Sequence, residues 1–75
     1  MNKDRRNKVN DAISALSNAW NILNKVRDDE QSAFDNCPES LQNSEKGAVM
    51  EDWIGVLSDS LDVIDTVVDD LRIRL

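Results

Sequence analysis

Carboxylates are the side chains of this sequence with the greatest capacity for chemistry. The chain has 15 Asp and Glu residues, 9 Lys and Arg residues and no His. The imidazole that most often serves as general base or zinc ligand is therefore missing, and the serines have no recognisable base partner. No glycine-rich phosphate-binding loop is visible. The sequence predicts a protein that is not an enzyme and that needs no metal or cofactor.

The second half of the chain places acids at helical spacing. Asp59, Asp62, Asp65 and Asp69 follow one another at intervals of three or four residues, so neighbours lie one helical turn apart. One interpretation is a solvated face that keeps the protein soluble. The other is a surface that docks a basic protein or imitates DNA phosphates. The candidate partner-binding residues are Glu51, Asp52, Asp59, Asp62, Asp65 and Asp69.

Cations gather near the two ends of the sequence, whereas residues 11–71 hold fourteen acids and only three cations. A helical hairpin would bring both ends together into one basic end, which is a candidate nucleic-acid contact. Arg72 and Arg74 also have a structural reason, because cations are favourable at a helix C-terminus. The cations at the start of the chain oppose the helix dipole, and a disordered arm is the alternative. The basic set is Lys3, Arg5, Arg6, Lys8, Arg72 and Arg74.

Three single residues are also candidates for function. Cys37 is the only Cys, so no disulfide forms within the chain, which fits a reducing compartment. Its neighbours Asp35 and Glu39 disfavour a thiolate, and we interpret Cys37 as buried or incidental. Trp20 and Trp53 have the chemistry of interaction hot spots. Because one lies on an apolar helical stripe and the other beside one, core packing is the favoured interpretation for both.

Helical periodicity determines where these side chains lie. In the second half, apolar residues recur in alternating steps of four and three, which is the spacing of a heptad seam. That seam contains Met50, Ile54, Leu57, Leu61, Ile64, Val68, Leu71 and Leu75. Val49, Val56 and Val63 recur beside it, with Trp53 and Val67. The apolar face is therefore wider than a two-helix contact requires.

The first half repeats this pattern less regularly. Its seam contains Val9, Ile13, Leu16, Trp20 and Leu23, and Ala12, Ala19, Val26 and Ala33 recur beside it every seven residues. The seam then meets Arg27 and Glu30 before Phe34 resumes it. An ion pair and a solvated gap are both possible at these two positions.

The segment between the halves contains the single Pro. Pro38 cannot continue a helix, so the first helix should end near Asn36, and PESLQ should form a short helical turn. Ser44 is the expected N-cap of the second helix. We predict one domain over 1–75, with helix 1 about 4–35, a connector over 36–44 and helix 2 about 45–74. A structural turn is the favoured interpretation of the connector, and a loop that recognises a partner is the alternative.

The predicted fold is all-α, a two-helix antiparallel hairpin that dimerises into a four-helix bundle, because one hairpin cannot cover faces this wide. A monomer with a groove for another protein is the alternative. The expected core and dimer residues are Trp20, Met50, Trp53, Ile54, Leu57, Leu61, Ile64 and Val68. No apolar run approaches the roughly 20 residues of a membrane span, and the start has no secretory h-region. We expect a cytoplasmic protein.

The connector carries a resemblance. The segment VRDDEQSAFDNCPESLQNSEKG resembles that of small hypothetical proteins from bacteriophages, prophages and related mobile elements, which share an FDN-x-PESLQ-x-SE-x-G connector between two helices. Cys37 departs from the aliphatic residue expected there, and the second helix is richer in Val and Asp. The resemblance implies a mobile-element setting in a bacterial host cell, and it implies no mechanism.

Together these observations predict a non-enzymatic accessory protein that binds another protein. The favoured form is an acidic inhibitor or decoy of a host defence or nucleic-acid-binding protein. The alternative is a small dimeric regulator that binds RNA or DNA through the basic end. A purely structural component is the third possibility.

Overall fold

The computed structural model describes residues 1–75 as two long helices and a short one. Helix α1 spans Lys3–Asp35, α2 spans Glu39–Gln42 and α3 spans Glu45–Arg74. The predicted all-α antiparallel hairpin is confirmed, since α1 and α3 pack along their length. The result is a rod 58 Å long and 14 Å across. No helix combines the length and the apolar composition that a membrane span requires.

Side chains define where the two long helices begin. The Asn2 side chain accepts a hydrogen bond from the backbone N–H of Arg5 at 2.9 Å. Ser44 occupies the N-cap of α3 and accepts from the backbone N–H of Gly47 at 3.3 Å. Each cap satisfies one of the backbone donors that a helix start leaves without a partner. Arg72 and Arg74 lie in the last turn of α3, where cations favour the helix dipole.

The connector is held by hydrogen bonds to the last turn of α1. The Gln42 Nε2 donates to the Phe34 carbonyl at 2.9 Å, and the Cys37 Sγ donates to the Ala33 carbonyl at 3.1 Å. Pro38 stands immediately before α2, whose single turn returns the chain towards α3. The Phe34 carbonyl also accepts from the Cys37 backbone N–H at 3.1 Å, and the Cys37 thiol occupies the neighbouring carbonyl in the last turn of α1. These bonds support a structural role for this segment.

Gly47 allows the connector to pack directly on α3. It is buried, and a Cβ at this position would lie 2.2 Å from the Gln42 carbonyl oxygen and 2.6 Å from that of Leu41. Because both neighbours are backbone atoms, they cannot turn away as a flexible side chain would. Gly55, in the middle of the same helix, has no such neighbour within 4 Å. The first glycine is therefore required by a close approach, and the second is not.

The core between α1 and α3 is thin. Four hydrophobic side chains are buried, namely Ile13 of α1 and Leu57, Leu61 and Val68 of α3. The other seam positions of both helices are half-buried, except for the exposed Leu75. Large hydrophobic residues that remain exposed outnumber the buried ones. The hairpin thus leaves much of its apolar surface in water.

The charged positions in the α1 seam do not pair with each other. Arg27 donates to the Asn24 Oδ1 at 2.8 Å and to the Asp28 Oδ1 at 3.3 Å, both on its own helix. Glu30 is half-buried and forms no ion pair. Arg27 therefore covers the seam with its stem while its charge is directed along α1.

Candidate protein-binding surfaces

One long side of the rod carries mainly apolar side chains in the positions immediately before the seam residues, and the polar exceptions are Lys8, Asp29, Ser60, Asp70 and Arg74. On α3, Val49, Trp53, Val56, Val63 and Val67 are between 40% and 61% exposed. On α1 the matching apolar positions are Ala12, Ala15, Ala19, Ile22 and Val26, and Ala33 is separated from them by Asp29. We call these ten residues the open face. Its α3 positions, with Ser60 between Val56 and Val63, repeat the spacing of the closed seam.

The two halves of the open face lie on the same side of the rod. Ala12 and Ala19 each precede a seam residue of α1, as Trp53 and Val67 do in α3. In an antiparallel pair the second helix runs in the opposite direction, and it also faces its partner from the opposite side. The two reversals cancel. Residues that precede the seam in either helix therefore lie on one common side. The two halves also lie at the same height along the rod. Asn21 of α1 and Ile64 of α3 line one groove, and their chain neighbours Ile22 and Val63 belong to the open face.

The opposite side of the rod is polar throughout. The residues that follow each seam residue are Asn10, Ser14, Ser17, Asn21, Asn24, Asp28, Gln31 and Asp35 on α1, and Glu51, Gly55, Ser58, Asp62, Asp65, Asp69 and Arg72 on α3. Four of the six predicted partner-binding acids belong to this polar side. Asp52 and Asp59 lie further out on α3, and Asp59 borders a depression with Val56, Ser60 and Val63.

The six acids are exposed and unneutralised. None of Glu51, Asp52, Asp59, Asp62, Asp65 and Asp69 forms an ion pair, and the two ion pairs of the structure join residues of α1. From Glu51 to Asp69 the carboxylates extend over roughly 27 Å, at 1.5 Å per residue. The structure brings Asp65 and Asp69 to a common groove, but it leaves Glu51 and Asp52 close to the connector.

That groove lies between α1 and α3 on the polar side and has a volume of about 220 Å³. Asp65, Asp69 and Arg72 contribute its charges, and Ser17 and Asn21 contribute neutral polar groups. Trp20, Ile64 and Val68 form the apolar part of its lining. We call it the acidic groove. A long cationic side chain would find carboxylates for its head and apolar surface for its stem there.

Trp20 adds an unusual feature to the acidic groove. Its indole Nε1 is buried and has no hydrogen-bond partner. A buried donor without an acceptor costs on the order of 1–3 kcal/mol. Trp53, by contrast, lies on the open face and is 56% exposed.

The basic end is assembled from both ends of the chain. Arg6 and Arg74 line one cavity of about 250 Å³, together with Met1, Val9, Leu71 and Leu75. The Arg74 Nη1 also donates to the Asp70 carbonyl at 2.7 Å, so this arginine caps its own helix. Lys3, Arg5 and Lys8 are exposed and form no ion pair. The cavity does not include Lys3, Arg5, Lys8 or Arg72.

Several surface residues were missed by the sequence reasoning. No sequence pattern marks Ser17 and Asn21, because they join the acidic groove only when α1 packs against α3. Ala15 and Ile22 of the open face could have been found, because they lie seven residues apart and each precedes a seam residue. No group of three or more potential metal ligands is close enough together to hold an ion.

Comparisons of the chain with protein-family models, with curated proteins and with solved structures find no match. The class is therefore defined by architecture, as an elongated antiparallel helical hairpin with one apolar and one polar side.

Proposed function

We propose that this hairpin is a non-enzymatic binding protein that docks a basic segment of another protein on its polar side. The observation that carries the proposal is the row of exposed, unpaired acids on α3. Surface acids that serve only solubility can be interspersed with cations at helical spacing. Between Lys46 and Arg72, α3 has no cation at all.

The acidic groove suggests what the partner presents. Its carboxylates Asp65 and Asp69 stand beside apolar surface from Trp20, Ile64 and Val68. Lys and Arg have this dual character, with an apolar stem and a charged head. The preferred ligand is therefore an exposed Lys or Arg side chain of the partner.

The setting of the proposal comes from the connector. Its resemblance to bacteriophage, prophage and mobile-element proteins favours an accessory protein acting in the cytoplasm of a bacterial host. In that setting, an acidic rod is suited to inhibit a host defence or nucleic-acid-binding protein by occupying its basic surface. The rod would act there as a decoy for nucleic acid.

The test compares two triple variants with equal changes of net charge. In the first, Asp62, Asp65 and Asp69 on the polar side become Lys. In the second, Asp11, Glu39 and Glu45, which are exposed and lie off the polar side, become Lys. The purified wild-type rod and both variants are used to capture proteins from a lysate of a candidate bacterial host.

The proposal expects a stoichiometric basic partner that the wild-type rod and the second variant retain and the first variant loses. The captured protein is then titrated with each purified rod, and the first variant should bind at least tenfold more weakly. Equal binding by the two variants would show only a net-charge effect and would contradict the proposed site.

Nucleic-acid binding by the basic end is the second candidate function. The observation that favours it is the cavity shared by Arg6 and Arg74, which unites cations from both ends of the chain. Labelled RNA and DNA are titrated at several salt concentrations, because phosphate contacts give a strong salt dependence. Replacing Arg5, Arg6 and Arg74 by Ala should reduce the affinity and the salt slope. Unchanged binding would exclude this end as the contact.

Self-association belongs to the proposal as well. With only four buried hydrophobic residues, the isolated hairpin resembles small scaffolds that need further support, such as oligomerisation. We propose that it acts as a homodimer, in which two hairpins form a four-helix bundle. Light scattering on the purified protein gives the mass directly, and a monomer at all concentrations would contradict this part.

A further inference from the structure

We infer that the open face is the dimer interface and that two hairpins pair head to tail, with the basic end of each against the connector end of the other. The inference rests on the self-association proposed above. It adds the side of the rod that is covered and the orientation of the second copy.

The composition of the two sides selects the open face. Ten positions on this side carry Ala, Ile, Val or Trp, interrupted on α3 by Ser60, and the equivalent positions on the polar side carry no apolar side chain. Isolated exposed hydrophobic residues are common, but a contiguous apolar strip along a rod marks an interaction site. A second copy offers the same strip, which is the requirement for a symmetric interface.

The dimensions of the face suit a stable dimer. The whole side of the rod that carries the open face is 58 Å long and 14 Å wide, roughly 800 Å², which is the area each partner contributes to an interface of standard size. The ten apolar residues span about 21 Å of α1 and about 27 Å of α3 at 1.5 Å per residue, and the two ends of that side are charged. The small Ala12, Ala15 and Ala19 allow the backbones of α1 to approach closely. The larger Val and Trp side chains of α3 provide the apolar area.

Charge fixes the orientation, because the two ends of the rod have opposite sign. The basic end, residues 1–10 and 72–75, has six cations against Asp4. The connector end, residues 28–52, has eight carboxylates against Lys46. Neighbouring helices in a bundle lie 8–10 Å apart, which is close to the screening length at physiological salt. Charges at the ends of the two copies therefore interact.

A parallel dimer would place like charges together at both ends. The six cations of one copy would face those of the other, and the carboxylates of the two connector ends would also meet. The head-to-tail arrangement brings opposite charges together twice. The two-fold symmetry of this arrangement also places α1 of one copy on α1 of the other, and α3 on α3. Both acidic grooves then remain on the outer surfaces of the bundle.

Orientation is tested by one distance measurement on the intact dimer. Cys37 is replaced by Ser, because its thiol donates to the Ala33 carbonyl, and the exposed Glu39 is replaced by Cys to carry a spin label. Pulsed EPR then measures the distance between the two labels. Head-to-tail pairing predicts a separation that is a large part of the 58 Å rod length. Parallel pairing predicts labels separated by no more than about two rod widths of 14 Å each.

The face is tested by a matched pair of exposed aliphatic residues on α3. Val63 belongs to the open face, whereas Ile73 does not, and they are 61% and 79% exposed. Val63→Glu should weaken dimerisation on the order of a hundredfold or more, since it places two charges in the interface. Ile73→Glu should leave the dimer intact. Circular dichroism at matched concentration shows whether each variant keeps its helices.

Each outcome separates the inference from the proposals beneath it. A monomeric wild-type protein overturns the dimer, and the inference falls with it, while binding of a basic partner is unaffected. A dimer with a short distance between labels keeps self-association but overturns the head-to-tail orientation. A dimer that survives Val63→Glu overturns the choice of face, whatever the effect of Ile73→Glu. If Val63→Glu unfolds, the distance in the otherwise wild-type dimer still decides the orientation.

Discussion

Helix α3 carries two apolar rows of the same spacing, one of which is buried and the other exposed. In the closed seam, Leu57 is 6% exposed, and in the open face its neighbour Val56 is 49% exposed. Both rows have intervals of three and four, although the open row contains Trp53 and is interrupted by Ser60. One is covered by α1 of the same chain, and the other is in contact with water in the hairpin.

The difference teaches what heptad spacing can specify. The spacing determines that a row of side chains will share one side of a helix. It does not determine which chain covers that side. For α3 the seam is assigned by its Leu and Ile residues, which can reach across to α1, whereas the open face consists mainly of shorter Val residues. Substitutions in the two rows should therefore act on different quantities.

The largest effect is expected at the centre of the closed seam. Leu61→Ala should reduce the free energy of unfolding by about 3 kcal/mol, within the range of 2–5 kcal/mol for a buried leucine. Leu61 is 2% exposed. Val63→Ala, its matched control on the open face, should have little effect at concentrations where the protein is monomeric. Urea unfolding followed by circular dichroism measures both. Equal losses at low concentration would remove the distinction between the rows.

The next largest effect tests how tightly the connector packs on α3. Gly47→Ala should cost about 1–3 kcal/mol, because the added methyl group overlaps two backbone carbonyls. The control is Gly55→Ala, which should gain up to about 1 kcal/mol, since alanine favours the helix and the site has space. Thermal unfolding of the two variants should move in opposite directions. A stabilised Gly47→Ala would mean that the connector does not pack on α3.

A smaller loss is expected where α3 begins. Ser44→Ala removes the side chain that accepts from the Gly47 N–H and should cost about 1 kcal/mol. Ser44→Asp keeps an acceptor at the N-cap and should be close to wild type. Urea midpoints compare the two. A cost equal for both substitutions would assign the effect to the Ser44 hydroxyl donating to the Leu41 carbonyl instead.

The smallest effect is expected on the surface of α1. Asp29→Asn breaks the ion pair with Lys25, whose Nζ lies 3.4 Å from the Asp29 Oδ1. Both side chains are well exposed, so the change should be about 0.3 kcal/mol and should disappear in high salt. A loss that persists in high salt would show that Asp29 stabilises the hairpin by another interaction.

Much of the fold could be predicted from the sequence, because its signals are local. Pro38 and Ser44 mark the connector, and the structure places α1 at Lys3–Asp35 and α3 at Glu45–Arg74, where 4–35 and 45–74 were expected. The confirmed hairpin follows from the short connector between two amphipathic helices. Each of these signals depends on residues within a few positions of each other.

The sites could be predicted less well from the sequence, because they depend on how the two helices face each other. The acidic groove unites Ser17 and Asn21 with Asp65 and Asp69, residues more than forty positions apart. The six acids appeared as one set in the sequence, and the structure divides them between the polar side and the outer surface of α3. Gly47 likewise gains its importance only through its approach to Gln42.

The hydrogen-bonded connector also determines the order in which the rod should form and open. Bringing Phe34 and Leu41 close to the start of α3 closes only a short loop, whereas joining residues 3–10 to the end of α3 closes a loop of nearly the whole chain. The helices should therefore pair first beside the connector, and on unfolding the basic end should separate first. Amide hydrogen exchange should be fastest there and slowest beside Leu57 and Leu61.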